Sequence, residues 1–522
     1  MFLSHPRYYR MTERKGIAQY LSSFFDQCFT LGDDGIPEFK MLIGGQWVES
    51  SGGLQIVDSP YDGSIVARVQ NGTLEDVEKA MQWVSGEGKK IRDIPAIDRI
   101  LIFQKARDLL KEHKEEIARA LVLEGGKTIR AARGEVDATA QRLMLTMEEA
   151  RKIYGDYIPG DWSEDTVGKM GLAIREPEGA VAAISPFNYP LYIASAKIIP
   201  ALLSGNSVIA KPASDDPVAL LLFARVLQEA GIPAGSLNVV TGPGGKLGDA
   251  IVSDERINMV TFTGSTDVGI HVNNVMGMKK RHLELGGKGM AIVLKDADID
   301  LAARKVVEGN LSNAGQRCDA IATVLVENEI ADELISKIVE NEKKWIVGDP
   351  MDQKTDMGPL INESAAKRVE ELVRDALQRG AKLALGGHRN GCYFEPTVLV
   401  DVPLDARIVN EETFGPVLVV IRVKDETEAL EIAKKPKYGL DSCVFTNNFY
   451  SMWRVAKSLD VGEVTINDNP KHGVGYFPFG GKKLSGLGRE GIGYSIDEMT
   501  HLKTIVFSLE PGGLGKRRVF QG

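Results

Sequence analysis

The chain has 522 residues, with 63 Lys or Arg against 72 Asp or Glu, a formal charge of −9 and 43% hydrophobic residues. That length and apolar share support several domains with ample core and exclude wholesale disorder. A mildly acidic chain without a basic tract argues against nucleic acid or an anionic membrane as main partner, and no apolar run is long enough to span a bilayer.

Residues 1–10 carry His5, Pro6, two Arg and two Tyr with no apolar core after them, so they do not read as a signal peptide; Met11 is an alternative start. Residues 17–29 place apolar side chains at helical spacing and are expected to pack on the body, a partner-binding helix being the alternative. Residues 31–37 (LGDDGIP) read as a linker, with the body beginning near Phe39. Periodicity predicts helices over 73–85, 96–113, 115–124 and 134–153, after which 154–162 (YGDYIPGDW) breaks the helix with Gly and Pro. Short apolar runs at 180–184, 207–210, 237–240 and 259–262 read as buried strands, separated by helical segments at 193–203, 217–230 and 246–252. That alternation predicts an α/β fold on a doubly wound parallel sheet. A second alternating region runs from about 291 to 464, with no internal repeat or low-complexity segment.

Two glycine loops follow strands and open helices. Residues 241–248 (TGPGGKLG) run one residue longer than the dinucleotide fingerprint, and an ordinary turn is the alternative. In 262–269 (FTGSTDVG), Gly264 lets backbone approach a phosphate, and Ser265 and Thr266 are candidate caps of a helix whose N-terminus favours anions. A plain capped helix is the alternative there. Cys28, Cys318, Cys392 and Cys443 form no CxxC pair, which indicates neither a disulfide framework nor a zinc site. Cys318 lies in 313–320 (NAGQRCDA) beside Arg317, a cation that favours the thiolate; a tolerated free thiol is the alternative. Glu284, in 282–290 (HLELGGKGM), precedes a glycine pair, where a carboxylate is either solvated or a general base across a pocket from the thiol. No His pairs with Cys318 by motif, which disfavours a papain-like hydrolase.

Seven motifs occur in fixed order: Ser185-Pro-Phe-Asn188-Tyr-Pro190, Lys211-Pro-Ala-Ser214, Phe262-Thr-Gly-Ser-Thr266, Glu284-Leu-Gly-Gly-Lys288, Gly315-Gln-Arg-Cys318, Glu411-Glu-Thr-Phe-Gly-Pro416 and Pro478-Phe-Gly-Gly481. From about Phe39 to Phe507 this series resembles the aldehyde dehydrogenase superfamily. The first and fifth motifs look like the non-phosphorylating glyceraldehyde-3-phosphate dehydrogenases. Tyr157-Ile-Pro-Gly-Asp-Trp162, Arg317-Cys-Asp-Ala320 and His472-Gly-Val-Gly-Tyr-Phe-Pro-Phe479 are similar to the archaeal branch of that group. The resemblance implies an aldehyde dehydrogenase-like α/β fold: a Rossmann-type cofactor domain over 37–153 and 174–288, an α/β catalytic domain over 289–490, and a small β oligomerisation arm over 154–173 and 491–512. An N-terminal extension, 1–36, precedes them. An alternating strand at 504–509 suits an edge that pairs with another subunit, followed by a loose basic tail over 515–522. A cytoplasmic homotetramer is the family expectation.

The resemblance further implies that Cys318 attacks an aldehyde as thiolate, with the oxyanion held by the Asn188 amide and the Cys318 N–H. Hydride then passes to a nicotinamide, and Glu284 activates the water that hydrolyses the thioester. Cofactor positions carried over are Ser185, Lys211, Ser214, Asp249, Gly264, Ser265, Gly269, Glu412 and Phe414. Lys211 is expected at the adenosine ribose and its 2′-phosphate. Ser214 stands where NAD-preferring relatives usually carry Glu, and its small hydroxyl leaves room for that phosphate. NADP is therefore the expected cofactor, with NAD the alternative and no metal. Tyr189 and Arg317 match positions that bind glyceraldehyde 3-phosphate. Two family arginines are missing: one aligns with Ala138, with Arg142 one helical turn on, and the other with His472, beside Lys471. The expected reaction converts glyceraldehyde 3-phosphate to 3-phosphoglycerate without phosphorylation. The alternatives are a broad dehydrogenase of small unphosphorylated aldehydes and a catalytically silent structural or binding member. The presence of Asn188, Glu284 and Cys318 disfavours the silent member.

Overall fold

The computed structural model describes residues 13–471 and 475–508. The expectations for residues 1–12, His472 and 509–522 lie outside the described residues.

The larger sheet has eight strands, in the order Gly486–Leu487, Lys280–Glu284, Met259–Thr263, Ala180–Ile184, Ser207–Lys211, Leu237–Val239, Met41–Ile43 and Gln46–Val48. The five from Lys280–Glu284 to Leu237–Val239 are parallel. Their central members are apolar and buried along almost their whole length, as strands covered by helices on both faces must be. From Ala180–Ile184 the chain first winds outward through Ser207–Lys211 and Leu237–Val239. It then returns to the other side with Met259–Thr263 and Lys280–Glu284. The order therefore reverses between Ala180–Ile184 and Met259–Thr263, and a crevice opens at the carboxyl ends of those strands.

A seven-stranded sheet follows, in the order Lys382–Leu385, Thr397–Val400, Val417–Val423, Ile321–Glu327, Gly289–Val293, Asp441–Phe445 and Glu463–Ile466; only the edge strand Lys382–Leu385 runs antiparallel. A third sheet pairs Thr500–Ser508 with Lys169–Pro177, and that strand with Asp156–Pro159. Thr500–Ser508 is its edge and leaves Leu502, Val506 and Phe507 exposed.

Three local expectations change. Residues 17–29 form two short 3-10 turns, Gly16–Tyr20 and Ser23–Cys28, because the backbone is extended at Leu21 and Ser22. They do pack on the body: Ile17, Ala18, Phe25 and Cys28 are fully buried, and Phe24 stacks on His113 at 4.0 Å. The expected linker at 31–37 is a hairpin turn between the strands Phe29–Leu31 and Pro37–Phe39. The helix expected from Gly134 begins earlier, as Ile129–Ala150, capped by Thr128, whose hydroxyl accepts from the Ala131 N–H. Gly134 sits inside it, where a side chain would meet open space, so it is no helix start.

Candidate active site

The loop 185–190 leaves the crevice edge of the eight-stranded sheet directly after Ala180–Ile184. Two remote side chains pin it. Lys127 Nζ donates to the Asn188 carbonyl at 2.8 Å, and Asn313 Nδ2 donates to the same oxygen at 3.2 Å. Lys127 is ion-paired with Glu135, whose Oε1 accepts from the Leu191 and Tyr192 N–H groups at 3.0 Å each and so seats the next helix, Tyr192–Leu203. The Asn188 backbone is fixed, while its side-chain amide makes no hydrogen bond among the described residues.

Cys318 stands just before Ile321–Glu327, after Asn313, Ala314 and Gly315 in left-handed conformation at φ of 53°, 55° and 72°. For the two non-glycines this costs about 1–3 kcal/mol each, and it persists because packing over-determines the loop. Gln316 helps: its Oε1 accepts from the Ile361 N–H at 2.8 Å. The glycine pair after Glu284 permits close approach on two sides. A Cβ on Gly287 would lie 2.4 Å from the Cys318 carbonyl, and one on Gly286 would lie 2.8 Å from the Glu412 carboxylate. The segment leaving Glu284 is thereby threaded between the Cys318 loop and the loop at 411–416.

At Cys318 the expected pull of Arg317 toward the thiolate is present but outweighed. Arg317 donates from Nε and Nη2 to Asp319 at 2.9 and 2.8 Å, and from Nη2 to the Pro470 carbonyl at 3.1 Å. Burial, reinforced by Asp319, Asp441 and Glu284, pushes the Cys318 thiol well above its usual range, and Arg317 offsets this only in part. Burial is the main cause of this upward shift, and the Arg317 charge that opposes it is partly matched by Asp319. Glu284 ends the strand Lys280–Glu284 and is 5% exposed. Burial pushes its carboxyl up, and Glu490 adds to this against the pull of His282 and Lys197.

Of the expected substrate residues, Tyr189 lies with its ring under Lys127 Nζ at 3.8 Å, and burial pushes its phenol up to about 12. Arg142 is fully buried; its Nη2 donates to Ser495 Oγ at 3.0 Å, while Nε and Nη1 form no aligned hydrogen bond among the described residues. Tyr192 lies close enough for Arg142 to act on its phenol, which burial nevertheless pushes up to about 12. The loop at Gly475 covers Arg142, since a Cβ there would lie 2.2 Å from Nη1. Lys471 instead pairs with Glu308 at 3.1 Å.

Most of the expected cofactor positions lie at or just after the carboxyl ends of the strands Ala180–Ile184, Ser207–Lys211 and Met259–Thr263. Lys211 ends its strand, is 3% exposed, and donates to the Pro212 carbonyl at 3.1 Å; burial pulls its ammonium down to about 8. Ser214 Oγ donates to the Gly242 carbonyl at 3.0 Å, tying its loop to the glycine loop 241–248. Ser185 Oγ is buried without a partner among the described residues. Ser265 caps the helix Thr266–Val275 by accepting from the Val268 N–H. Thr266 is not a second cap: its hydroxyl donates to the Leu484 carbonyl and accepts from the Gly286 N–H. Gly264 lies against the Phe262 ring and Gly269 against Leu285, so both are needed for close packing. Asp249 pairs with His271 at 2.8 Å on the surface. Glu412 accepts from the Gly287 N–H at 3.1 Å, and Phe414, itself at φ 50°, meets Phe187 edge to face at 5.7 Å. An orphan hydroxyl at Ser185, a buried ammonium at Lys211 with one backbone acceptor, and a small Ser214 together fit a phosphorylated ribose dinucleotide.

Sequence reasoning missed Lys127, Glu135, Asp319 and His282. The only available signal was Asp319, an opposite charge two residues after Arg317. A further recess of about 490 Å³, between Arg92, Arg99, Arg151 and Arg175, contains none of the site residues.

Comparison with known proteins shows the family and the fold. Residues 47–505 match the aldehyde dehydrogenase family. The chain is 36% identical over 474 residues to the 3-sulfolactaldehyde dehydrogenase of Priestia megaterium, covering 91% of this chain and 99% of that one. It is 37% identical over 472 residues to the lactaldehyde dehydrogenase of Methanocaldococcus jannaschii, covering 90% and 100%. It resembles the crystal structure of the NADP-dependent glyceraldehyde-3-phosphate dehydrogenase from Bacillus halodurans C-125 complexed with NADP, at a TM-score of 0.89 and 39% identity, covering 90% and 99%.

Proposed function

The chain belongs to the aldehyde dehydrogenase family, and we propose that it oxidises glyceraldehyde 3-phosphate to 3-phosphoglycerate with NADP, without phosphorylation. The observation that carries the phosphate is Arg142, a buried guanidinium beside Tyr192 whose Nε and Nη1 form no aligned hydrogen bond among the described residues. Buried donors left without acceptors are costly, and an anionic substrate group would complete them. The names of two relatives support an anion, 3-sulfolactaldehyde and glyceraldehyde 3-phosphate.

On this reading the Asn188 amide and the Cys318 N–H face the substrate oxygen, each donor stabilising the developing oxyanion by about 3 kcal/mol. Cys318 must lose its proton before it attacks the aldehyde carbon. That proton leaves to water in the crevice, which Cys318 partly faces, so the Glu284 carboxylate stays free for the later hydrolytic step. After oxidation the acyl group is held as a thioester on Cys318, and Glu284 takes a proton from the water that releases the acid. The cofactor, when bound, supplies the hydride acceptor. Lys211 and Ser214 would hold its 2′-phosphate, and Glu412 its second ribose. We assign the cofactor domain to 37–153 and 174–288, the catalytic domain to 289–490, and the arm to 154–173 and 491–512. The exposed edge strand Thr500–Ser508 supports a homotetramer built through the arm.

A second reading, oxidation of small unphosphorylated aldehydes, is favoured by Arg317, whose fork is already engaged by Asp319. Steady-state nicotinamide reduction without inorganic phosphate separates the two. Glyceraldehyde 3-phosphate should exceed glyceraldehyde in kcat/KM by about a hundredfold, or roughly 2.7 kcal/mol, with NADP preferred over NAD. Comparable values for the two aldehydes would hand the assignment to the second reading.

A further inference from the structure

His282 and Glu284 are alternate residues of the strand Lys280–Glu284, so their side chains share one face. Both are buried, 4% and 5% exposed, and His282 Nε2 lies 3.2 Å from Glu284 Oε1. The contact is not aligned as a hydrogen bond in this structure, and neither Glu284 oxygen has another partner among the described residues. The neighbouring strand Met259–Thr263 runs parallel with Thr261 in register beside His282. Thr261 Oγ1 lies 3.3 Å from His282 Nδ1 and accepts from Lys197 Nζ at 3.2 Å.

Thr261 Oγ1 accepts from Lys197, and its own proton is available to His282 Nδ1, an arrangement that leaves the ring proton on Nε2, the nitrogen nearest Glu284. Gly488 packs on the ring edge: a Cβ there would lie 2.6 Å from Cδ2, which limits how far the imidazole can swing. The other charged groups around the pair are Arg489, Glu490 and Glu498 from the C-terminal segment and Cys318 from the nucleophile loop.

We infer that His282, fixed as its Nε2–H tautomer by Thr261 and Lys197, is a positioning residue that donates to Glu284 and keeps this carboxylate ionised for the hydrolytic half of the reaction. The inference rests on the proposed role of Glu284 as general base. His282 touches neither substrate nor cofactor in this scheme; it acts through Glu284 alone. Removing the donor removes a contact that favours the charged carboxylate, so Glu284 would protonate at higher pH and the acid limb of turnover would move up.

The test uses the NADP-loaded enzyme with whichever of glyceraldehyde 3-phosphate and glyceraldehyde turns over faster. The pre-steady-state burst of NADPH and the steady rate are followed from pH 5.5 to 9. His282→Leu should keep the burst and shift the acid limb of the steady rate up by about one pH unit, a tenfold loss of turnover below the limb. His282→Gln, whose amide N–H can replace Nε2–H, should restore the parent profile. Thr261→Val should shift the limb in the same direction by less, and it carries the test if His282→Leu does not fold. An unchanged limb in both His282→Leu and Thr261→Val overturns the inference, as does a His282→Gln profile that matches Leu. Glu284→Gln separates the two levels. Full steady turnover in that variant removes the general-base reading itself, whereas a burst without turnover leaves it standing and confines any failure to His282.

Discussion

Arg317 and Arg142 are both buried cations beside the candidate site, yet their surroundings are opposite. Arg317 meets the Asp319 carboxylate with two nitrogens and a backbone carbonyl with one of them, across a separation of only two residues. Arg142 projects from the middle of a long helix and donates to Ser495, from a segment 353 residues away, with the Tyr192 phenol beside it. The Arg317 fork, held by Asp319, ties its own loop together. On the proposed reading, the Arg142 donors meet an acceptor that arrives with the substrate.

The most severe way to test that contrast is stability. Arg317→Ala leaves Asp319 buried beside Asp441 without its cation and should cost about 3–5 kcal/mol, read as a lower thermal midpoint. Arg142→Met, which fills the same space without charge, should leave the midpoint within about 1 kcal/mol or raise it. Next comes specificity. Arg142→Met should lower kcat/KM for glyceraldehyde 3-phosphate about a hundredfold, roughly 2.7 kcal/mol, and leave glyceraldehyde within about twofold. Equal losses on both aldehydes would place Arg142 in the scaffold rather than at the phosphate.

A smaller effect probes the thiol. Asp319→Asn removes a negative charge that raises the Cys318 thiol and releases the Arg317 charge that lowers it. Both changes favour thiolate, so alkylation by iodoacetamide at pH 8 should accelerate about tenfold, one pKa unit. In the parent chain, with the thiol held high, the rate should keep climbing with pH beyond 9. The smallest effect belongs to Lys211, a third buried cation with one backbone acceptor. Its ammonium is held near 8, so the charge is present below that pH and lost above it. NADP affinity should therefore weaken a few-fold between pH 7 and 9, measured by fluorescence titration, while NAD affinity changes less.

The motifs were legible because each is a short, contiguous piece of backbone chemistry. Asn188 follows a strand, Glu284 ends one, and Cys318 precedes one, and the parallel sheets bring those strand ends to the crevice and its rim. What holds the motifs was not legible. Lys127 reaches the Asn188 carbonyl across 61 residues and Glu135 the Leu191 N–H across 56, and no local periodicity encodes such pairs. The first segment shows the same limit: its apolar spacing suggested one helix, but packing against His113 and Arg225 is satisfied by two short turns.

By itself the sequence determined the alternation of strands and helices, the doubly wound sheet, and the three side chains of the proposed chemistry, because these depend on residue type and local order. Only the tertiary structure decided the upward shift of the Cys318 thiol, the engagement of Arg317 by Asp319 and the burial of Arg142. Each depends on which charges share a space shielded from water, and a linear order of residues does not state those distances.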